Sequence, residues 1–506
     1  MKYNLILLAS CSFSCVAIAE SPSTVPNPDA VKQAKEIHRG DNMVITTAHK
    51  YFPNTTKATS SFEISAEDIK KNNLVTTEDV IRSAPGIQVR RRFIGDTNGV
   101  TATRGSTNFQ TAHTMLFSDG VPLSNLVQTA WNGAPKWSLI APNAIDSVKI
   151  FYGPFSAEHP GNAFGSVINV RTKMPEEFKM HFDVTGMIQE SNRFGRDEVL
   201  TGHKEYLSVG NKFGDFSVFG FYNHLDNDGQ PQSFDQQQVS SASSLGSSVT
   251  GGFMSQDIDG NTVMITGDGG VQNNVSDLYE IKLGYDLNDD LTALFTLGYE
   301  NIKKQGGYDA RNYLTAPDGS TFWGNGKDIT ANQDGFDFTP DKRRFGASSF
   351  ARTLNERETL MYGLNLSGKI SKDWDIDSTV SYFDAYKDRA ITPNLSLEDP
   401  GFDNKGTIKD TKMWWATYDI KLATQNLFGN ENLGFMSGYQ FNNSFLNVTQ
   451  HKSDNILGAS KDSQKDDVGG STELHSFFAQ SDLNFLKDFN VLLGARLDFW
   501  QAKQGH

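Results

Sequence analysis

Residues 279–299 read YEIKLGYDLNDDLTALFTLGY. Tyr279, Ile281, Leu283, Tyr285 and Leu287 alternate with Glu280, Lys282, Gly284 and Asp286. Asn288-Asp289-Asp290 is turn material, after which Leu291, Ala293, Phe295, Leu297 and Tyr299 alternate again. A period of two puts successive side chains on opposite faces of a strand, so the stretch is a hairpin with one apolar and one polar face. The pattern recurs with Tyr362, Leu364 and Leu366 before Val380 and Tyr382, and with Trp414, Ala416, Tyr418 and Ile420 before Tyr439 and Phe441. It recurs once more with Phe477, Ala479 and Leu483 before Val491, Leu493, Ala495 and Leu497. Each pair is joined by a short turn, and long polar loops separate the pairs, the longest Asp226–Asp277 and Asn301–Glu358. Short turns at one end and long loops at the other are the pattern of an antiparallel transmembrane β-barrel. A soluble β-sandwich shows the alternation without that asymmetry. Tyr279, Tyr285, Tyr299, Trp414 and Trp500 suit interfacial girdles.

About eleven strands are legible, and an antiparallel barrel with an odd count cannot close without a parallel seam. Eleven strands about 4.8 Å apart and tilted about 40° would enclose a backbone radius of roughly 11 Å. The α+β segment that precedes them would have a radius of gyration of about 13 Å and could not fit inside. Twice the count, the ~22 strands of plugged transporters, gives the room. The expectation is therefore the first half of a 22-stranded barrel behind an N-terminal α+β domain.

Composition agrees with this class. The 506 residues include Gly 45, Phe 35, Tyr 15 and Trp 7, with 46 basic against 60 acidic residues and a net charge of −14. An acidic chain without long basic runs argues against nucleic acid as a partner. No apolar run reaches the length of a membrane helix. Lys2, the apolar stretch from Leu5 to Ile18 and Ala17-Ile18-Ala19 read as a secretory signal peptide over 1–19. Leu8-Ala9-Ser10-Cys11 has the letters of a lipoprotein box, but cleavage there would leave too short an apolar region. Both cysteines, Cys11 and Cys15, fall inside the signal, so disulfides and thiol ligands are not expected in the mature chain. Residues 20–54 are polar and Pro-rich, a flexible segment. Residues 55–175 form the α+β domain, and 176–506 form the strand series. Ser65 to Asp68 and Thr76 to Asp79 are capping boxes, the second predicting a helix through Val80 and Ile81 that ends at Pro85-Gly86. Asp119-Gly120, between Met115-Leu116-Phe117 and Val121, predicts a type I′ turn.

The α+β segment resembles the plug of the TonB-dependent outer-membrane receptors, siderophore receptors in particular. The resemblance rests on an ordered set: Ala84-Pro85-Gly86-Ile87, Arg104-Gly105, Ser118-Asp119-Gly120-Val121-Pro122-Leu123, Gly153-Pro154, and Val167-Ile168-Asn169-Val170 through Thr172-Lys173. Asp41, Asn42, Met43, Val44, Ile45, Thr46, Thr47 and Ala48 look like the family's TonB box, an extended segment able to add to a partner's sheet edge. The resemblance implies a Gram-negative outer-membrane receptor, C-terminally incomplete here. Its partners would be outer-membrane lipid, TonB with its inner-membrane energising complex, and a ferric-siderophore-type ligand. It implies transport without catalysis and without a cofactor. Haem, cobalamin or an oligosaccharide as solute, and a passive porin, are the other readings. Tyr152 stands where the family has Arg, so the resemblance implies that Arg104 keeps one plug-to-barrel ion pair and Tyr152 loses another. Phe109, His113, Trp131 and Trp137 are candidate ligand-facing residues.

Rival chemistry finds little support. H-E-x-x-H, G-x-S-x-G and P-loop motifs are absent from the sequence. Asp257-Ile258-Asp259-Gly260 and Asp226-Asn227-Asp228-Gly229 suggest calcium, but Thr266 stands where an EF-hand needs Glu, so solvated turns are expected and no metal. Thr392-Pro393-Asn394-Leu395 matches part of a haem-receptor motif whose companion Phe-Arg-Ala-Pro is missing.

Overall fold

The computed structural model describes residues 6–15, 60–96, 99–104, 113–124, 135–153, 156–160, 163, 165–241, 247–307, 309–323, 331–333, 336–338, 350–486 and 489–506. From Lys179 onward, eleven strands form one antiparallel meander in chain order. They are β1 (Lys179–Arg193), β2 (Arg196–Phe213), β3 (Phe216–Gly229), β4 (Gln272–Asn288), β5 (Leu291–Gly306) and β6 (Thr353–Lys369). There follow β7 (Trp374–Pro393), β8 (Gly406–Thr424), β9 (Leu433–Ser453), β10 (Ser463–Leu486) and β11 (Phe489–Lys503). Every expected hairpin is present, with Tyr279 opposite Tyr299 and Tyr362 opposite Tyr382.

Burial settles which environment this wall is built for. On β4, Tyr279 is 46% and Ile281 51% exposed, whereas the charged Glu280 and Lys282 between them are 3% and 1% exposed. Leu364 and Val380 repeat the outward apolar placement at 51% each. Apolar residues outside and ionised residues inside invert the order of a water-soluble sheet and match a lipid-facing wall.

The loops differ from expectation in one respect. Long loops were expected between all hairpins, but only 230–271 and 307–352 are long, whereas 394–405 and 454–462 are short and the β1–β2 connection is Phe194-Gly195. The reason is strand length. The strands run from 14 to 24 residues, well beyond the ~10 that cross a bilayer, and their upper ends absorb residues that polarity alone marked as loop. The two long loops are themselves folded. Phe234–Ser241, Phe253–Gln256 and Thr262–Asp268 from the first pair with one another, and the sheet continues through Ala331–Gln333 and Phe336–Phe338 of the second. Arg196, buried at the first turn, forms ion pairs with Glu198, Asp268 (2.7 Å) and Asp309, so one guanidinium joins the short turn to both long loops.

Inside the curve of the wall lies the domain of residues 60–173. Its five-stranded mixed sheet has the order Ser61–Ile64, Ile145–Tyr152, Ser166–Thr172, Thr114–Ser118, Val121–Pro122. The first capping box starts the helix Ala66–Lys70, with Ser65 Oγ accepting from the Asp68 amide. The second starts only a 3-10 turn, Thr77–Asp79, in place of the expected helix. The Asp79 carboxylate turns back to accept from the Val75 and Thr76 amides and pairs with Arg91, and Val80 and Ile81 go straight into the core. That core runs without a break from Ile81, Leu116, Trp137 and Ile168 into wall residues Tyr206, Phe221, Leu278 and Trp415. The inner domain and the wall are packed as one body.

Ile6–Cys15, expected within a signal peptide, lies as a strand along the outer edge of β1, from Ile6 opposite Gln189 to Cys15 opposite Met180. An unpaired strand edge is a template for any β-competent apolar segment, and this one satisfies it.

Candidate functional site

The seam between inner domain and wall is where the fold concentrates buried polar chemistry, and the Asp119-Gly120 turn is its centre. Two residues link Ser118 to Val121, which pair in register, a connection that calls for a type I′ or II′ turn. Asp119 has φ 47° and Gly120 φ 84°, the expected type I′ turn. A Cβ on Gly120 would stand 2.8 Å from Thr379 Oγ1 of the wall, so the turn tip touches β7. The Asp119 carboxylate accepts from the Thr172 amide (3.0 Å) and hydroxyl (2.5 Å), tying the turn to the neighbouring strand. It also meets Lys282 Nζ of β4 at 2.8 Å, and Lys282 donates to the Thr172 hydroxyl as well. The Lys282 side chain is 1% and that of Asp119 10% exposed, a desolvated pair. Burial alone would raise the Asp119 pKa, but Lys282 and the Thr172 donors outweigh it and hold the carboxyl below its ordinary value.

Other wall side chains grip the inner domain in the same sense. Lys421 of β8 pairs with Glu158 at 2.6 Å and lies 3.6 Å from Asp377. Burial opposes ionisation of Glu158, yet Lys421 keeps its pKa depressed. Arg496 of β11 donates to the Glu158 carbonyl (3.0 Å), and Gln480 of β10 accepts from the Ala157 amide (3.1 Å). Lys204 of β2 donates to the Leu74 carbonyl (2.6 Å) and to Asn143 Oδ1 (2.8 Å). Arg357 of β6 donates to Ser138 Oγ (3.2 Å), Trp415 of β8 to the Pro122 carbonyl (3.2 Å) and Asn274 of β4 to the Gly95 carbonyl (3.1 Å). Asn227 of β3 donates to the Ile94 carbonyl. The wall supplies mainly donors and cations, and the inner domain supplies carbonyls and carboxylates.

Two buried groups of the inner domain carry a cost of their own. Glu78, 1% exposed and accepting from the Gly99 amide at 3.1 Å, has its pKa pushed up to about 7 by desolvation. Lys136, beside the wall, is pushed down to about 8 by burial and then by Arg357.

Several residues singled out from sequence take defined places in the inner domain. Trp137, a candidate ligand-facing residue from sequence, is 2% exposed in the 3-10 turn Trp137–Leu139 and belongs to the hydrophobic core. His113 is half-buried at the start of the strand Thr114–Ser118, where its carbonyl accepts from the Gly165 amide (3.0 Å) and burial lowers its pKa. Asn169 is half-buried on Ser166–Thr172 and faces a cavity at the seam, with Glu158, His159, Asp377, Thr379 and Lys421 around it. Gly153 offers its carbonyl to Arg104 (3.0 Å). Asp41–Ala48, Gly105, Phe109, Trp131 and Pro154 lie outside the described residues.

Arg104, expected to pair with a barrel carboxylate, makes no ion pair among the described residues. Arg104 has φ 49°, is exposed, and lies over the Tyr152 ring at 4.8 Å while bonding Gly153 and Ser60. Tyr152 in turn donates to the Pro85 carbonyl at 2.7 Å. Arg104 and Tyr152 are therefore partners within the inner domain. Among the described residues the ion pairs across the seam run the other way, from wall lysines to inner carboxylates. Lys282, Lys421, Lys204 and Glu158 were missed in the sequence as seam residues. The signal was available, because each wall lysine falls in the polar half of an alternating strand, the half that must face inward once the apolar half faces lipid. Asp257 is occupied in its own turn, accepting from the Asp259 and Asn261 amides at 3.0 and 2.8 Å.

Residues 53–167 match the TonB-dependent receptor plug domain family. Over 272 residues, 51% of this chain, the sequence is 24% identical to the ferrienterobactin receptor of Escherichia coli K12, and the alignment covers 34% of that receptor. Over 155 residues, 31% of this chain, it is 23% identical to the vitamin B12 transporter BtuB of Vibrio vulnificus YJ016, covering 24% of it. The ferripyoverdine receptor of the Pseudomonas aeruginosa outer membrane, solved bound to ferripyoverdine, superposes with a TM-score of 0.55 at 15% identity. That superposition covers 90% of this chain and 53% of the receptor, so the chain spans about half of the solved receptor and less of the curated relatives it matches.

Proposed function

We propose that this chain, whose residues 53–167 match the TonB-dependent receptor plug and lie within eleven barrel strands, is part of an energised outer-membrane importer of a ferric siderophore. The family consists of non-enzymatic transporters, so the chain is not an enzyme. The observation that carries the proposal is the seam. A folded plug, joined to the wall by the chain at residues 174–178, is held inside it by reversible noncovalent contacts such as Lys282–Asp119 and Lys421–Glu158. A gate of that kind blocks diffusion and needs work to open. TonB, drawing on the inner-membrane proton gradient, would supply that work by adding residues 41–48 to its own sheet edge and pulling. Cleavage after Ala19 would remove Ile6–Cys15 and leave the edge of β1 free to pair within a closed barrel.

A ferric siderophore is favoured over other solutes because the ferrienterobactin receptor aligns over more of this chain than the vitamin B12 transporter does. Growth under iron restriction, with and without the gene and with single ferric siderophores as iron source, tests this. Growth on at least one of them that requires the gene is the expected result. Gene-dependent uptake of cobalamin, with no iron source affected, would refute the solute while leaving the gate mechanism standing.

A further inference from the structure

We propose that Asp377 and Asp183 of the wall are release partners for Lys421 and Lys204, so that the plug undocks by exchange of ion pairs and not by stranding buried charge. The proposal rests on the seam being the gate, and it assigns the residues that set the cost of opening that gate.

The grips on the plug share one arrangement. Lys421 of β8 lies 2.6 Å from Glu158 of the plug and 3.6 Å from Asp377 of β7, which stands opposite it in register. Lys204 of β2 donates to the plug at 2.6 Å (Leu74 carbonyl) and 2.8 Å (Asn143 Oδ1), and Asp183 of β1 lies 4.0 Å away. Arg357 of β6 repeats the pattern, donating to Ser138 of the plug at 3.2 Å while pairing with Glu300 of β5 at 3.0 Å. In each case one cation faces an acceptor on the plug and a carboxylate on the wall, and only the plug acceptor leaves on undocking. The wall carboxylates are held in place, Asp377 by Asn365 Nδ2 (3.0 Å) and Asp183 by the Thr185 hydroxyl (3.3 Å). Lys282 is the contrast. Its counter-charge is Asp119 of the plug, and Glu280, two residues along the same buried face of β4, makes no ion pair with it among the described residues.

Electrostatics gives this arrangement its consequence. A buried cation deprived of its partner is strongly destabilising, whereas one that changes partner keeps a counter-charge throughout. Closing 3.6 or 4.0 Å to the ~2.8 Å of a charge-assisted hydrogen bond takes a shift of about 1 Å by an ammonium on a flexible stem. Lys421 has room for that shift, because a cavity of about 90 Å³ is bordered by Glu158, Asp377 and Lys421 together. Arg357 needs no shift, since its fork of donors holds Ser138 and Glu300 at once. The docked plug therefore draws the lysines away from their wall carboxylates, and release returns them. The seam has two kinds of contact, a fixed latch at Lys282–Asp119 and exchange grips at Lys204 and Lys421.

The reporter is Ser118→Cys, buried at the turn, in the full-length protein with Cys11 and Cys15 changed to Ser. A small thiol reagent labels it in neutral detergent, without solute or TonB, so the rate reads undocking of the plug alone. Asp377→Asn combined with Asp183→Asn should label about tenfold more slowly than the parent, because the undocked state loses more than the docked one. Glu158→Gln should label faster, so the two carboxylates beside Lys421 act with opposite sign. Asp377→Glu with Asp183→Glu should restore the parental rate. The single Asp377→Asn should slow labelling in the same sense and decides the matter if the double variant does not fold. A folded Asn variant that labels at or above the parental rate overturns the exchange, because a carboxylate that only braces the seam loosens the plug when removed. Slow labelling that the Glu variants do not restore overturns it too. Slow labelling together with ferric-siderophore uptake that ignores a protonophore leaves the exchange standing and refutes the energised gate. Unchanged labelling with protonophore-sensitive uptake does the reverse.

Discussion

Replacing Lys282 with Met should loosen the plug from the wall far more than the loss of one surface charge would. The Lys282–Asp119 pair is 2.8 Å long and nearly free of solvent, and Thr172 donates to the same carboxylate. Removing one member leaves the other buried without its counter-charge, at a cost of about 3–5 kcal/mol. Removing both with Lys282→Met and Asp119→Asn should cost much less, because no net charge is then stranded at this pair. Asn tolerates the positive φ at position 119, so the backbone adds little to the effect. The assay is thiol labelling in urea of a Ser118→Cys reporter, buried next to the turn, with the native Cys11 and Cys15 changed to Ser. The two single variants should each label at lower urea than the parent, and the double variant should fall short of their sum by about 2 kcal/mol or more. The pH dependence has a fixed sign. Asp119 has a depressed folded pKa, so its contribution is present above the unfolded value of about 3.9 and is lost as pH falls through the folded value. The difference between parent and Asp119→Asn should therefore be constant from pH 8 to 5 and shrink in stronger acid. Additive single effects would refute the latch.

Three further outcomes follow from the same geometry. Glu78, with its folded pKa raised to about 7 from 4.5, binds a proton in the folded state that the unfolded state releases. Plug stability should rise as pH falls from 7 to 4.5, by roughly 3 kcal/mol at most, and Glu78→Gln should flatten that rise in the same labelling assay. Gly120→Ala forces a Cβ into a residue at φ 84° and to within 2.8 Å of Thr379 Oγ1, so it should cost at least about 1 kcal/mol of plug docking; a neutral effect would place the tip away from β7. Arg196→Gln removes the guanidinium that joins the first turn to both long loops and should expose 230–271 to protease while leaving the wall folded; unchanged cleavage would show that the loop sheet stands without it.

The wall was legible because its rule is local. Alternation along β4 and β5 fixed both the hairpin and the face each residue takes, and Asp119-Gly120 announced its own turn through the residue types that positive φ demands. Loop lengths were not legible, because the upper ends of β7 to β10 are polar strands, and polarity cannot separate a strand above the membrane from a loop. The second capping box misled for a related reason: Thr76 and Asp79 cap one turn, but Val80 and Ile81 are claimed by a core assembled from distant strands. The direction of the ion pairs was hidden because it depends on which side of the seam holds each partner. Arg104 reads in sequence as a bridge to the wall, and its stacking on Tyr152 depends on a strand 48 residues away. Lys282 looked like ordinary polar filling until its face was known to point inward.

The central claim is that the plug is a gate opened by energy delivered to residues 41–48. Initial uptake of radiolabelled ferric siderophore by cells carrying the gene, with and without a protonophore and with residues 41–48 deleted, measures it directly. The account predicts uptake that falls to the level of gene-free cells under the protonophore and in the deletion, with binding at the cell surface retained in both. Uptake that continues unchanged in either case would contradict it and would make the protein a passive pore.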